Sequence, residues 1–207
     1  MQINSISFGK KFPIAQTQIY DKNSAKFVPA TVYEYDCTDE SDIRAIKSLK
    51  GDWDYKDMMV TSMFSKHRIP IECDDFNNTS FYVLENSLGE IVGVSEICNK
   101  EDKKELKIIE TQQTNRYKYA GQGLLAIIAK TIIDEDKDKL VIKNPSPTSY
   151  DFYTKGCGFV PQNKYSRKMQ ENLIRVGLCS IEMDREKLNK FIKQVEDKIQ
   201  GTINITA

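Results

Sequence analysis

Read as a pattern of apolar and polar positions, the chain alternates short runs of period two with longer runs whose apolar residues fall three and four apart. Thr31-Val32-Tyr33-Glu34-Tyr35 is β-branched and aromatic with alternation, which predicts a first strand. Asp39, Glu40, Ser41 and Asp42 then open a predicted helix running to about Lys50. Their acidic groups suit a helix N-terminus, Ile43, Ile46 and Leu49 form its apolar stripe, and Gly51 stops it. Residues 54–68, with Met58, Met59, Met63 and Phe64, predict a second helix. Ser80–Leu84 and Glu90–Ile97 read as strands around the turn Asn86-Ser87-Leu88-Gly89, and Leu106–Gln112 as a further strand.

Gly121 to about Asp134 predicts a helix in which Leu124, Leu125, Ile127, Ile128, Ile132 and Ile133 fill one broad face. Leu140-Val141-Ile142 is a short, continuously apolar strand of the kind buried on both faces. A helix over about Thr148–Lys155, Gly158-Phe159-Val160 leading into a strand, a strand at Val176–Met183 and an amphipathic helix from about Asp184 to Ile199 complete the chain. Pro161–Arg175, with Lys164, Arg167, Lys168 and Arg175, reads as a locally basic loop. Residues 1–29 read as an irregular extension or a short edge strand. The order of elements is mixed α/β around one central sheet.

Composition narrows the function classes. Among 207 residues, 30 Lys and Arg balance 30 Asp and Glu, which argues against a dedicated nucleic-acid or membrane-surface binder. No apolar run is long enough to span a bilayer, and Met1–Lys11 has no secretory h-region. Cys37, Cys73, Cys98, Cys157 and Cys179 are scattered and odd in number, which argues against a disulfide framework or zinc site and for a reducing, cytoplasmic setting. His67 is the single histidine, so no metal ligand set or Ser-His-Asp triad is expected.

The most informative segment is Lys118-Tyr119-Ala120-Gly121-Gln122-Gly123-Leu124-Leu125, set between a predicted strand and a strongly apolar helix. Glycines there admit close approach of a ligand, and the first N–H groups of a helix have no internal partners, so such a place suits a phosphate. A plain helix start with two tight-packing glycines is the alternative. The ending of a nucleotide P-loop and the third glycine of a dinucleotide fingerprint are both missing.

This segment resembles the acyl-CoA pyrophosphate motif Arg/Gln-x-x-Gly-x-Gly/Ala of the Gcn5-related N-acetyltransferase (GNAT) family, with Lys118 in the Arg/Gln place. Further on, Ser149-Tyr150-Asp151-Phe152-Tyr153-Thr154-Lys155-Gly156-Cys157-Gly158-Phe159 is similar to the family's second signature, a helix with Phe/Leu-Tyr-x-Lys followed by Gly-Phe. The resemblance covers roughly Thr31 to Phe159. It implies a central mixed, mostly antiparallel sheet flanked by helices, with an acyltransferase domain over 30–183, an extension over 1–29, and a C-terminal helix and tail over 184–207. Three departures stand out: Lys118 itself, one extra residue in Gly156-Cys157-Gly158, and the polar run Thr111-Gln112-Gln113-Thr114 at an apolar strand end. That run either lines an acceptor site or weakens core packing.

The resemblance implies acetyl-CoA as co-substrate and direct attack of an amine, on a small molecule or a protein, without a covalent enzyme intermediate. It assigns acetyl-CoA binding to Gln113, Lys118, Tyr119, Ala120, Gly121, Gln122, Gly123, Leu124, Asn144 and Tyr153. Tyr153 is the candidate acid for the leaving thiolate, a phenol being near enough in pKa to a thiol (about 10 against about 8.5); Tyr150 is its substitute. Glu110, on the strand before the phosphate loop, is the candidate base, with Glu105 weaker and a water chain as the alternative. Asn144 either bonds the pantetheine arm or caps the turn before Pro145, and nothing near Cys157 would make it a nucleophile. A GNAT-fold protein that holds CoA without catalysis is the competing reading.

Overall fold

In the computed structural model the described residues are 11–35, 41, 42, 44, 78–112 and 116–206. Strands β1 (Phe12–Asp21) and β2 (Lys26–Tyr35) form a hairpin, followed by β3 (Thr79–Asn86), β4 (Ile91–Asn99), β5 (Lys103–Thr111) and the short β6 (Tyr117–Lys118). Helix α1 (Ala120–Asp134) leads to β7 (Lys139–Lys143), and α2 (Pro147–Asp151) runs directly into a π-helical turn, Phe152–Cys157. Then come β8 (Val160–Pro161), α3 (Arg167–Arg175), β9 (Ser180–Asp184), α4 (Arg185–Ile199) and β10 (Asn204–Ile205).

The strands form one sheet in the order β10-β1-β2-β3-β4-β5-β7-β9-β8, with β6 against β1. Every pairing is antiparallel except β5 with β7. The parallel pair follows from the chain path, because α1 supplies the helical crossover that parallel neighbours need. The expected fold class, a mixed and mostly antiparallel sheet flanked by helices, is the observed one.

One face of the sheet carries the main core. Leu124, Leu125, Ile127, Ile128 and Ile132 of α1 are fully buried against it, with Val32, Leu84, Leu106 and Ile142 from the strands. Leu188, Phe191, Val195 and Ile199 of α4 close over α1 from outside. Thus α1 is apolar on more than the one face expected, because it is enclosed by sheet on one side and helix on the other. The opposite sheet face is buried as well, at Phe81, Val83 and Val94.

Local chemistry sets the element ends. In the β3–β4 turn, Asn86 Oδ1 accepts from the N–H groups of Leu88 (2.9 Å) and Glu90 (3.0 Å), and Gly89 takes φ 76°. Asp184 caps α4 by accepting from Lys187 N–H at 3.0 Å. On β4–β5, a register shift between Glu96 and Ile97 leaves Lys107 as an extra residue, since Glu96 faces Ile108 and Ile97 faces Leu106.

Four sequence expectations need correction. Residues 12–21 are a ten-residue strand inside the sheet, with Ala15 and Ile19 fully buried, rather than an irregular stretch or a short edge strand. Its polar Gln16 and Gln18 alternate with core residues, and that alternation is the strand signal. The supposed loop up to Arg175 contains α3, opened by Ser166, whose hydroxyl accepts from Met169 N–H. Strand β9 starts at Ser180 rather than Val176, because α3 continues to Arg175 and Gly177 turns the chain at φ 69°. Cys98 is disulfide-bonded, against the expectation drawn from cysteine spacing, whereas Cys157 and Cys179 are free thiols.

Of the helix expected over 39–50, Ser41, Asp42 and Arg44 are helical; its remainder, the helix over 54–68, His67 and Gln113 lie outside the described residues. Among the described residues no helix is long and apolar enough to cross a membrane.

Candidate acyl-donor site

Strands β5 and β7 part company along their length. They pair from Lys103 with Lys139 to Leu106 with Ile142, and there the ladder ends, although β5 continues to Thr111. The far side of β5 from Lys107 onward therefore has a strand edge without a β7 partner. The bulge at Lys107 reinforces the parting by bending β5 and increasing its twist.

A cavity of about 350 Å³ opens where the strands diverge. Ile109 and Thr111 of β5 form one wall, Tyr117 and Tyr119 to Gln122 a second, and Ser149, Phe152 and Tyr153 the third. Its volume falls within the ordinary range for small-molecule sites, about 300–1,000 Å³.

The second wall is the start of α1. Tyr119 is its N-cap, held at φ 69°, a left-handed conformation uncommon for a residue with a side chain. That turn swings the chain from β6 into the helix, and the ring of Tyr119 stacks on Phe27 at 6.5 Å. The Tyr119 side chain makes no capping hydrogen bond. Gly123 N–H returns to the Tyr119 carbonyl at 2.7 Å, which leaves the N–H groups of Ala120, Gly121 and Gln122 without helical partners. Gly121 sits tight against β5: a Cβ there would lie 3.4 Å from Thr111 Cγ2.

The third wall comes from the π-helical turn. Gly158, at φ 87°, donates its N–H to the Tyr153 carbonyl, and Phe159 N–H reaches the same oxygen at 3.1 Å. The extra residue of the second signature is absorbed here as a wider helical turn rather than a longer loop. Tyr153 is 6% exposed and is held edge-on between Phe152 (5.2 Å) and Phe159 (5.7 Å). Its hydroxyl has no hydrogen-bond partner among the described residues. Burial, with a contribution from Cys157, pushes its phenol well above the usual tyrosine range, so it stays protonated at neutral pH.

Of the residues expected to bind the donor, Tyr119, Ala120, Gly121, Gln122 and Tyr153 line this cavity. Lys118, Gly123, Leu124 and Asn144 do not. Lys118 is exposed with its Nζ 5.7 Å over the Tyr20 ring, and Leu124 is fully buried core. Asn144 takes a left-handed turn at φ 51° after β7, where its N–H bonds Cys179 O at 3.1 Å.

Glu110 lies on the face of β5 opposite Ile109 and Thr111, away from the cavity. Glu105 is 2% exposed and meets Lys143 (3.0 Å), Lys103 (3.3 Å) and Lys107 (3.4 Å). Burial opposes its charge, but these lysines outweigh it and hold the carboxyl below its usual range. Tyr150 is bonded by Gln170 Nε2. The Cys157 thiol, buried, is pushed up to about 12, which suits an inert thiol.

Sequence reading gave no donor-binding role to Ile109, Tyr117, Ser149 and Phe152, and offered Thr111 only as part of an acceptor site or a weakened core. Helical spacing was an available signal, since Ser149, Phe152 and Tyr153 fall three and four apart. Nothing in the sequence marks the bulge at Lys107, which decides the face that Ile109 and Thr111 take.

No protein-family model matches the sequence, and no curated protein is similar to it by sequence. Solved structures are similar in fold. AtaTR bound with acetyl-CoA is 12% identical, with 78% of this chain and 96% of that chain covered and a TM-score of 0.51. A mutant AtaT toxin bound to the C-terminus of the antitoxin AtaR is also 12% identical, with coverage of 80% and 98% and a TM-score of 0.51. A GNAT-family acetyltransferase from Staphylococcus aureus Mu50 is 16% identical, with coverage of 75% and 99% and a TM-score of 0.49. The chain therefore shares its fold with AtaTR, solved with acetyl-CoA bound, and with the AtaT toxin.

Proposed function

We propose that this chain is an acyl-CoA-dependent N-acyltransferase that passes an acetyl group from acetyl-CoA to an amine by direct attack in a ternary complex. One observation carries the reading: β5 and β7 diverge beside a helix start whose first N–H groups are uncapped, and a buried tyrosine faces them across the cavity. The residues fit the donor. A pyrophosphate suits the N–H groups of Ala120 to Gln122 and the positive end of α1. An extended amide-bearing arm suits the free edge of β5, as an added strand does.

The thioester supplies an electrophilic carbonyl and a thiolate leaving group. Backbone N–H groups along the open edge of β5 are placed to polarise that carbonyl. The walls restrict the arm, and much of the rate gain is positional. As the amine nitrogen bonds to carbon and the carbon–sulfur bond breaks, Tyr153 donates its phenolic proton to sulfur and later recovers one from solvent. The amine proton leaves through water, or through Glu110 if the acceptor enters from the other face of β5. The acceptor is a small molecule or a protein that carries an amine.

A second reading is favoured by one feature: among the described residues lining the cavity there is no carboxylate or imidazole. On that reading the chain binds CoA without turning it over. Calorimetry with acetyl-CoA, followed by free-thiol release across a panel of polyamines, amino acids and peptides, separates the two. Binding with turnover supports the transferase. Binding without turnover for any amine supports the second reading, and absence of binding refutes both.

A further inference from the structure

Gln112 follows one cavity wall, Arg116 and Tyr117 open the next, and these three residues are held by the carboxylates of Glu90 and Asp21. Glu90, at the end of the β3–β4 turn, accepts from Asn86 Nδ2 (2.8 Å), Tyr117 hydroxyl (2.9 Å) and Gln112 Nε2 (3.1 Å). Arg116 approaches it at 3.6 Å and forms a two-point pair with Asp21 at 3.1 and 3.2 Å. Asn86 cannot turn its amide over, because its Oδ1 already accepts from Leu88 and Glu90 N–H. Its Nδ2 therefore points at Glu90 and also donates to the Tyr117 oxygen at 2.9 Å.

Tyr117 lines the cavity, and Gln112 directly follows Thr111, which lines it too. One carboxylate thus holds the end of β5 and the start of the phosphate segment at a fixed separation. Glu90 itself is outside the cavity lining, so it acts through these neighbours. The network is charge-assisted, with donors at distances typical of strong bonds. Burial works against the charge of Glu90, but the bonds from Gln112, Tyr117 and Asn86, with Arg116, outweigh it and keep the carboxyl ionised.

We infer that Glu90 is a positioning residue of the donor site: through Tyr117 and Gln112 it fixes the gap between the end of β5 and the N-terminus of α1. The inference rests on the reading of the cavity as an acyl-CoA site. The test is a double-mutant cycle on CoA affinity, measured by calorimetry, with Glu90→Ala, Tyr117→Phe and both together, alongside the thermal midpoint of each ligand-free protein. Removing a charge-assisted bond network should weaken CoA about tenfold in Glu90→Ala. Tyr117→Phe, which keeps the ring, should weaken it less, and the double variant should be no worse than Glu90→Ala.

Additive losses refute action through Tyr117. So does CoA affinity within twofold of the parent in Glu90→Ala. Should Glu90→Ala fail to fold, Tyr117→Phe carries the test: it must lower CoA affinity while leaving the ligand-free midpoint in place, and unchanged affinity refutes the inference. A parent protein that does not bind CoA at all fails the functional reading instead, a distinct result.

Discussion

Replacing Tyr153 by Phe separates chemistry from packing more sharply than any other single change. The ring is fixed edge-on by Phe152 and Phe159, and Phe keeps both contacts, each worth about 0.5–1.5 kcal/mol beyond area burial. The hydroxyl makes no hydrogen bond among the described residues, so its removal forfeits none. An unpartnered buried hydroxyl carries a penalty of about 1–3 kcal/mol, reduced here because the cavity admits water. Stability should therefore stay within about 1 kcal/mol of the parent or rise, whereas truncation to Ala should cost about 3–5 kcal/mol. Acetyl-CoA affinity should change little. Turnover, read as free-thiol release with the best amine of a panel, should fall by about 10²–10⁴-fold, in both kcat and kcat/KM. Because burial holds the phenol above its ordinary value of about 10, the parent should keep this acid throughout the neutral range. Activity within about twofold of the parent would remove Tyr153 as the acid. Tyr150, already bonded to Gln170, would then be a poor replacement.

Gly121→Glu should abolish acetyl-CoA binding in calorimetry yet leave the circular dichroism spectrum intact, since an acidic residue in the first turn favours the helix while repelling an anion; retained binding would show the phosphate lies elsewhere. Glu105→Gln should cost about 1–3 kcal/mol in urea unfolding at pH 7, below the range for a broken buried pair because two of its three lysines are partly exposed. The carboxyl of Glu105 is held below its usual range, so its contribution is full above an unfolded value of about 4.3 and is lost as pH falls through the folded value. The gap between parent and Glu105→Gln should accordingly narrow on acidification from pH 5 towards 3. Gly158→Ala should cost about 1–2 kcal/mol in thermal or urea unfolding through its φ of 87°, because, its chain neighbours aside, no described residue lies within 4 Å of the new methyl.

The central elements were legible because their patterns are local. The continuous apolar run at Leu140–Ile142, the Asn86–Gly89 turn and the repeating apolar positions of 121–134 each state their conformation through side-chain periodicity and turn chemistry. Gly121 and Gly123 at the start of α1 were equally plain, since room for close approach is written in residue type. By contrast, β1 was obscured by the polar Gln16 and Gln18, and the π-helical turn by the glycines on either side of Cys157.

The sequence by itself determined the central strands at 80–84, 90–97 and 140–142, the helix at 121–134 and the presence of Tyr153 on the helical segment after β7. Tertiary structure decided what these meet. The bulge at Lys107 and the early end of the β5–β7 ladder are properties of two strands together, and they turn Ile109 and Thr111 to the cavity and Glu110 away from it. A one-residue shift reverses every later side chain on a strand. The facing of Glu110 therefore depends on pairing register, which no local pattern carries.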